Sequence, residues 1–106
     1  MRSYLVAISL LALTAPAVQA SSDGAWAEFG KAVSTACVKA AAGQIEKPRA
    51  VVDPYGSDHF GLALVTGKAK GAKQTISLIC VYDKQMKTVE LSSEFSADQV
   101  KVMPGR

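Results

Sequence analysis

The chain has one histidine and two cysteines in 106 residues. A structural metal site gathers about four His, Cys or carboxylate ligands. His59 and two distant cysteines are poor material for one, so neither a metal nor another cofactor is expected. Long apolar runs are missing too. The most apolar stretch, Leu5–Leu13, falls well short of the roughly 20 residues that a bilayer-spanning helix needs, so no membrane span is expected. The phosphate-cradling pattern G-x-x-x-x-G-K-[ST] is absent, because Gly67 and Gly71 have the wrong spacing and Ala72 follows. The nucleophile elbow G-x-S-x-G is absent as well. Charge of one sign is not in large excess: 12 Lys and Arg are scattered among 9 Asp and Glu, for a net +3. That balance lacks the basic stripe of a nucleic-acid protein. Internal repeats and low-complexity linkers are not found.

What is present begins with "MRSYLVAISLLALTAPAVQA", residues 1–20. Arg2, the apolar run, Pro16 and the short side chains at Val18 and Ala20 match a secretory signal peptide cleaved after Ala20. The residue that follows is Ser21, not cysteine, so a lipoprotein anchor is not expected. The reading is an exported, periplasmic protein whose residues 21–106 form one small domain. A domain of that size buries a limited share of its surface. In an exported chain an even pair of cysteines reads as a disulfide, here Cys37–Cys80. In the chain-entropy model such a loop contributes about 4 kcal/mol.

Local patterns give the elements. Trp26, Phe29, Val33, Cys37 and Ala40 recur at steps of three or four, one face of a helix over about 24–42. Ser22 or Asp23 is suited to its N-cap and Gly43 to its stop. Pro48 ends any continuation, and "RAVVD" reads as a strand. "PYGSD" is turn chemistry. In "HFGLALVT" the large residues Phe60, Leu62 and Leu64 are expected inward. His59, Gly61, Ala63 and Val65 are expected on the other face. "GKAKGAK" is a loop, and "QTISLICVYD" is the clearest strand, with Ile76, Leu78, Cys80 and Tyr82 on one face. "MKTVEL" returns with Val89 and Leu91 inward, and Val100 and Val102 could line a short edge strand. Cys37 on the helix stripe and Cys80 on the strand's apolar face agree with one bond across the core. The fold class expected is α+β: one N-terminal helix on a three- to five-stranded antiparallel sheet. Its second face, carrying Ile79 and Val81, calls for a partner, a homodimer or cover from the tail.

Two segments invite a functional reading. "PYGSDHFG", residues 54–61, places Ser57, Asp58 and His59 in a row. Neighbours along an extended chain point to opposite faces, and a triad is defined by geometry rather than adjacency. Catalysis is therefore not expected, and the protein is not read as an enzyme. Tyr55, Ser57 and His59 are instead a candidate contact surface on a turn. The loop with Lys68, Lys70 and Lys73 is either a solvated hairpin or a positive finger aimed at an acidic cleft. The carboxylate pairs Glu90/Glu94 and Asp53/Asp58 read as surface charges.

The signal segment, the helix with its central cysteine, the "LICVYD" strand with the second and the "PYGSDHFG" turn resemble small periplasmic proteins of alphaproteobacteria. Inhibitors of lysozyme-type peptidoglycan hydrolases are among those. The periplasmic C-type lysozyme inhibitors are small β-barrels with an S-G-x-x-Y-like loop. This chain has Tyr55-Gly56-Ser57 instead and opens on a long helix, so it departs from that pattern. The resemblance implies a non-catalytic protein that inhibits or regulates a lysozyme-like hydrolase by placing a loop in its acidic cleft. Tyr55, Ser57, His59, Lys68, Lys70 and Lys73 are the partner-binding candidates. The alternative is a structural or assembly factor that binds another envelope protein through a sheet edge or face.

Overall fold

A computed structural model describes residues 22–103. The expected signal segment and its cleavage point lie outside the described residues. Helix α1 runs over Ser22–Ala41, with Asp23 in its first turn and Lys39 in its last, both favourable to the helix dipole. Steps of four carry its buried line through Val33, Cys37 and Ala41, and Phe29 packs at the core margin. Ala40 and Trp26, expected on that stripe, are exposed, Trp26 at 42%. The Trp26 ring meets the loop around Tyr55 instead of the sheet, edge-on at 5.0 Å.

The sheet is antiparallel: β1 (Ile45–Val52), β2 (Phe60–Ala69), β3 (Thr75–Asp83) and β4 (Val89–Leu91) in spatial order, with β5 (Phe95–Ser96) also paired to β3. The Cys37–Cys80 disulfide joins α1 to β3, with Cα atoms 5.9 Å apart. Several boundaries differ from expectation: β2 runs on through Gly67, Lys68 and Ala69, expected in the loop, and β4 starts only at Val89. Strand β1 begins before Pro48 and runs through it, because a register shift between Glu46 and Arg49 absorbs the proline. Lys47 takes φ 49° at this irregularity, as a bulged strand allows. Across from it a Cβ on Gly67 would lie 2.5 Å from Ile45 Cγ2 and 3.0 Å from Glu46 O, so only glycine admits the kinked strand. At the other end, Val100 and Val102 form no strand. The short edge pairing is made by Phe95 and Ser96.

The main correction is the phase of β2. Gly61, Ala63 and Val65 are buried, and they pair with Tyr82, Cys80 and Leu78. Phe60, Leu62 and Leu64 lie on the opposite face, and Phe60 is 39% exposed. The disulfide holds α1 close over the sheet, and the clearance is tightest at Gly61, beneath Phe29 and Val33. A Cβ on Gly61 would meet Val33 Cγ2 at 2.6 Å and Phe29 Cζ at 3.0 Å. Gly61 and Ala63 on β2 thus fit beneath the helix, while Val65 on β2 and Leu78 and Tyr82 on β3 fill the core.

The face away from α1 divides in two. At the β2–β3 hairpin end, Thr66 and Ser77 are buried. Ser77 Oγ donates to Thr66 Oγ1 at 3.0 Å, and Thr66 Oγ1 donates to Ile76 O at 3.1 Å. The tail lies over this end. Gln99 Oε1 accepts from Ser96 N at 2.9 Å, and Phe95, Val100 and Val102 are half-buried. Beyond the tail, Val51, Leu62, Leu64 and Ile79 surround a shallow hollow of about 380 Å³. Val51 is 41% and Ile79 38% exposed.

Candidate functional site

The 53–60 loop is built by its own short-range bonds. Asp53 Oδ1 accepts from the backbone N–H groups of Tyr55 and Gly56, both at 3.1 Å. These two bonds, with a smaller contribution from Lys84, hold the Asp53 carboxyl below the usual aspartate range, against a small opposing effect of desolvation. Gly56 has φ +73°, and a Cβ there would strike Phe60 O. Ser57 N donates to Phe60 O at 2.8 Å. The Ser57 hydroxyl accepts from Phe60 N at 3.2 Å and donates to Phe60 O at 3.4 Å. That hydroxyl serves as a backbone clamp. His59 is exposed, with its ring edge-on to Phe60 at 6.3 Å.

Lys84 braces the loop from beneath. Its Nζ donates to Ser57 O at 2.7 Å and to Tyr55 O at 3.1 Å. It also lies 5.1 Å from the Phe29 ring centre and 5.6 Å from that of Trp26, within cation–π range. Tyr55, 59% exposed, therefore stands on a rigid support beside Trp26. Sequence reading placed neither Lys84 nor Trp26 at this loop. Lys84 is distant along the chain, and the Phe60–Asp83 pairing is what carries it under Ser57.

The lysine candidates lie at the far end of the sheet. Strand β2 spans ten residues, or roughly 30 Å at about 3.3 Å per residue. It separates Tyr55, Ser57 and His59 from the hairpin with Lys70 and Lys73. The two groups of candidates are not brought together. Lys68 is paired with Glu46 at 3.3 Å, the one ion pair among the described residues. Gly71, at φ +76°, turns the hairpin.

The hairpin end gathers further cations that sequence reading missed. Lys47, Arg49 and Lys101 line a groove of about 350 Å³, with Thr66, Thr75, Val100 and Val102. Arg49 arrives by pairing with Thr66, Lys47 by the bulge and Lys101 by the tail. With Lys68, Lys70 and Lys73 they make one end of the sheet cationic. The other end is aromatic and of mixed charge, carrying Asp53, Asp58 and Asp83 with Lys84 and Lys87. The sequence signal for this polarity is the hairpin topology, which folds residues 46–49 back beside 66–69.

Among the described residues, no helix is long and apolar enough to cross a membrane. No group of three or more His, Cys, Asp or Glu in that range could hold a metal ion. No protein-family model matches this chain, and no curated protein or solved structure is significantly similar to it.

Proposed function

We propose that this is a non-catalytic periplasmic binding protein that inhibits or regulates a lysozyme-like peptidoglycan hydrolase, with its cationic end directed at the enzyme's acidic cleft. One observation carries this reading: Lys47, Arg49 and Lys101 converge on a groove beside Lys68, Lys70 and Lys73. Lysozyme-type clefts work through a pair of carboxylates, and a focused positive end raises the rate of encounter with such a cleft. Tyr55, Ser57 and His59, at the opposite end, take no part in this contact. The test is a cell-wall clearing assay with charge-reversed protein. Lys70→Glu/Lys73→Glu combined with Lys101→Glu should weaken inhibition at least about tenfold, and added salt should weaken it in the unaltered protein. Tyr55→Ala should leave it unchanged. Absence of inhibition at micromolar protein, or inhibition indifferent to charge reversal, would overturn the reading.

The second reading is an assembly factor that docks on another envelope protein. It is favoured by the uncovered apolar face of Val51, Phe60, Leu62, Leu64 and Ile79, since monomeric proteins seldom leave a contiguous apolar surface open. It predicts capture of a partner that is lost with Ile79→Lys and kept when the lysines are reversed.

A further inference from the structure

We infer that strand β1 is a self-complementary edge that pairs antiparallel with β1 of a second copy, in one register centred on Val51. The two edges of the sheet are unlike. Past β3 the edge is broken into β4 and β5, pieces of three and two residues. Ser92 lies between them, its N bonded to Ile79 O and its Oγ to Ile79 N. Such an edge offers little to a passing strand. Beyond its bulge, β1 is regular.

The direction of the free groups on β1 follows from the ladder. Asp53 N donates to Leu62 O at 2.9 Å, and the Arg49–Thr66, Val51–Leu64 and Val52–Ala63 pairings continue that register. Hydrogen-bonded pairs alternate along an antiparallel ladder. Arg49, Val51 and Asp53 thus bond inward to β2, and the N–H and C=O groups of Ala50 and Val52 point away from the sheet.

The sequence is symmetric about Val51 in the properties that matter. Arg49 and Asp53 stand two residues to either side, with side chains on the same face as Val51. If Val51 lies opposite Val51 of a second copy, Arg49 lies opposite Asp53 of that copy, twice over. The same register sets Ala50 opposite Val52. Those are the residues with outward-pointing backbone groups, so their bonds form between the copies. Any register shifted by one residue fails on this parity. Pro48 and Pro54 fall opposite each other at the next outward-facing positions. Neither has an N–H to give, so the paired segment ends at the same place on both sides.

Charge leaves room for the match. The one ion pair among the described residues is Lys68–Glu46, so Arg49 is not committed to a carboxylate there. Asp53 uses Oδ1 for its own turn, which leaves Oδ2 for the guanidinium. The two copies close about a two-fold axis through the Val51 pair, the commonest symmetry of small oligomers. This pairing shares Arg49 with the cationic groove of the hydrolase reading, so Ala50→Pro and the Val51→Cys cross-link, which leave that groove's cations in place, test it separately.

The test is cross-linking combined with solution mass. Residues opposite each other in a non-bonded pair sit about 4.5 Å apart at Cα, inside the roughly 4.4–6.8 Å range of a disulfide. Val51→Cys, with Cys37–Cys80 intact, should therefore oxidise to a covalent dimer. Leu64→Cys, one strand inward, should not. Sedimentation at up to millimolar concentration should show a reversible dimer whose dissociation constant rises about tenfold or more with Arg49→Asp, which sets like charges opposite each other. Ala50→Pro should do the same by removing an outward N–H without touching the β1–β2 ladder. A protein monomeric throughout that range overturns the inference. So does a dimer that both variants leave intact, or a Leu64→Cys dimer formed as readily as the Val51→Cys one.

Discussion

Two glycine-to-alanine substitutions should move stability in opposite directions. At Gly61 the added methyl would lie 2.6 Å from Val33 Cγ2, 3.0 Å from Phe29 Cζ and 3.3 Å from Tyr82 Cδ2. The helix cannot retreat, because Cys37 and Cys80 tie it to β3. Overpacking of this kind costs about 1–3 kcal/mol, which in a domain of this size lowers Tm by roughly 5–20 °C. At Gly30, in the middle of α1, an added Cβ meets nothing within 4 Å. There alanine should add about 0.5–1 kcal/mol through helix propensity alone. The assay is urea unfolding of the oxidised protein followed by Trp26 fluorescence, with the m-value checked for constancy. Combining Gly61→Ala with Val33→Ala should cost less than the sum of the two, since the second removes the methyl that the first strikes. A neutral Gly61→Ala, or strict additivity with Val33→Ala, would refute the close approach of helix and sheet.

Lys84→Met keeps the aliphatic stem and loses the bonds to Tyr55 O and Ser57 O. It should cost about 1–2 kcal/mol and accelerate amide exchange in residues 55–58 more than in β3. Asp53 is held below the usual aspartate range in the folded state. Its contribution to stability is therefore present above an unfolded-state pKa of about 4 and is lost as pH falls through the lower folded value. Asp53→Asn should flatten that acid limb of the stability curve while leaving the fold at neutral pH. Replacing Cys37 and Cys80 together by alanine should lower stability by about 4 kcal/mol, read as a fall in the urea midpoint.

Helix α1, the disulfide and strand β3 were legible because each rests on a pattern within one segment or on cysteine parity. The face of β2 was not. Hydrophobicity alone sends Phe60, Leu62 and Leu64 inward, and the close approach of the helix over Gly61, which favours the opposite phase, exists only in the folded arrangement. Pro48 misled for a related reason: it looked like a terminator because the bulge at Lys47 and the clearance at Gly67 belong to two different strands. Of the candidate contact residues, the lysine hairpin could be named from its local composition. Lys47, Arg49 and Lys101 come to it only through topology, as does Lys84 to the 53–60 loop. Such placements depend on register, which a single segment does not carry.

Both cysteines of the disulfide have no solvent exposure. A thiolate must reach a sulfur directly to exchange with it, so reductants have no approach to the bond while α1 sits on β3. At high reductant the chemical lifetime of the cross-link is thereby set by how often the helix lifts from the sheet. Below that opening rate, more reductant should speed cleavage; above it, the rate should level off. The plateau would then serve as a clock for the helix-docking motion itself.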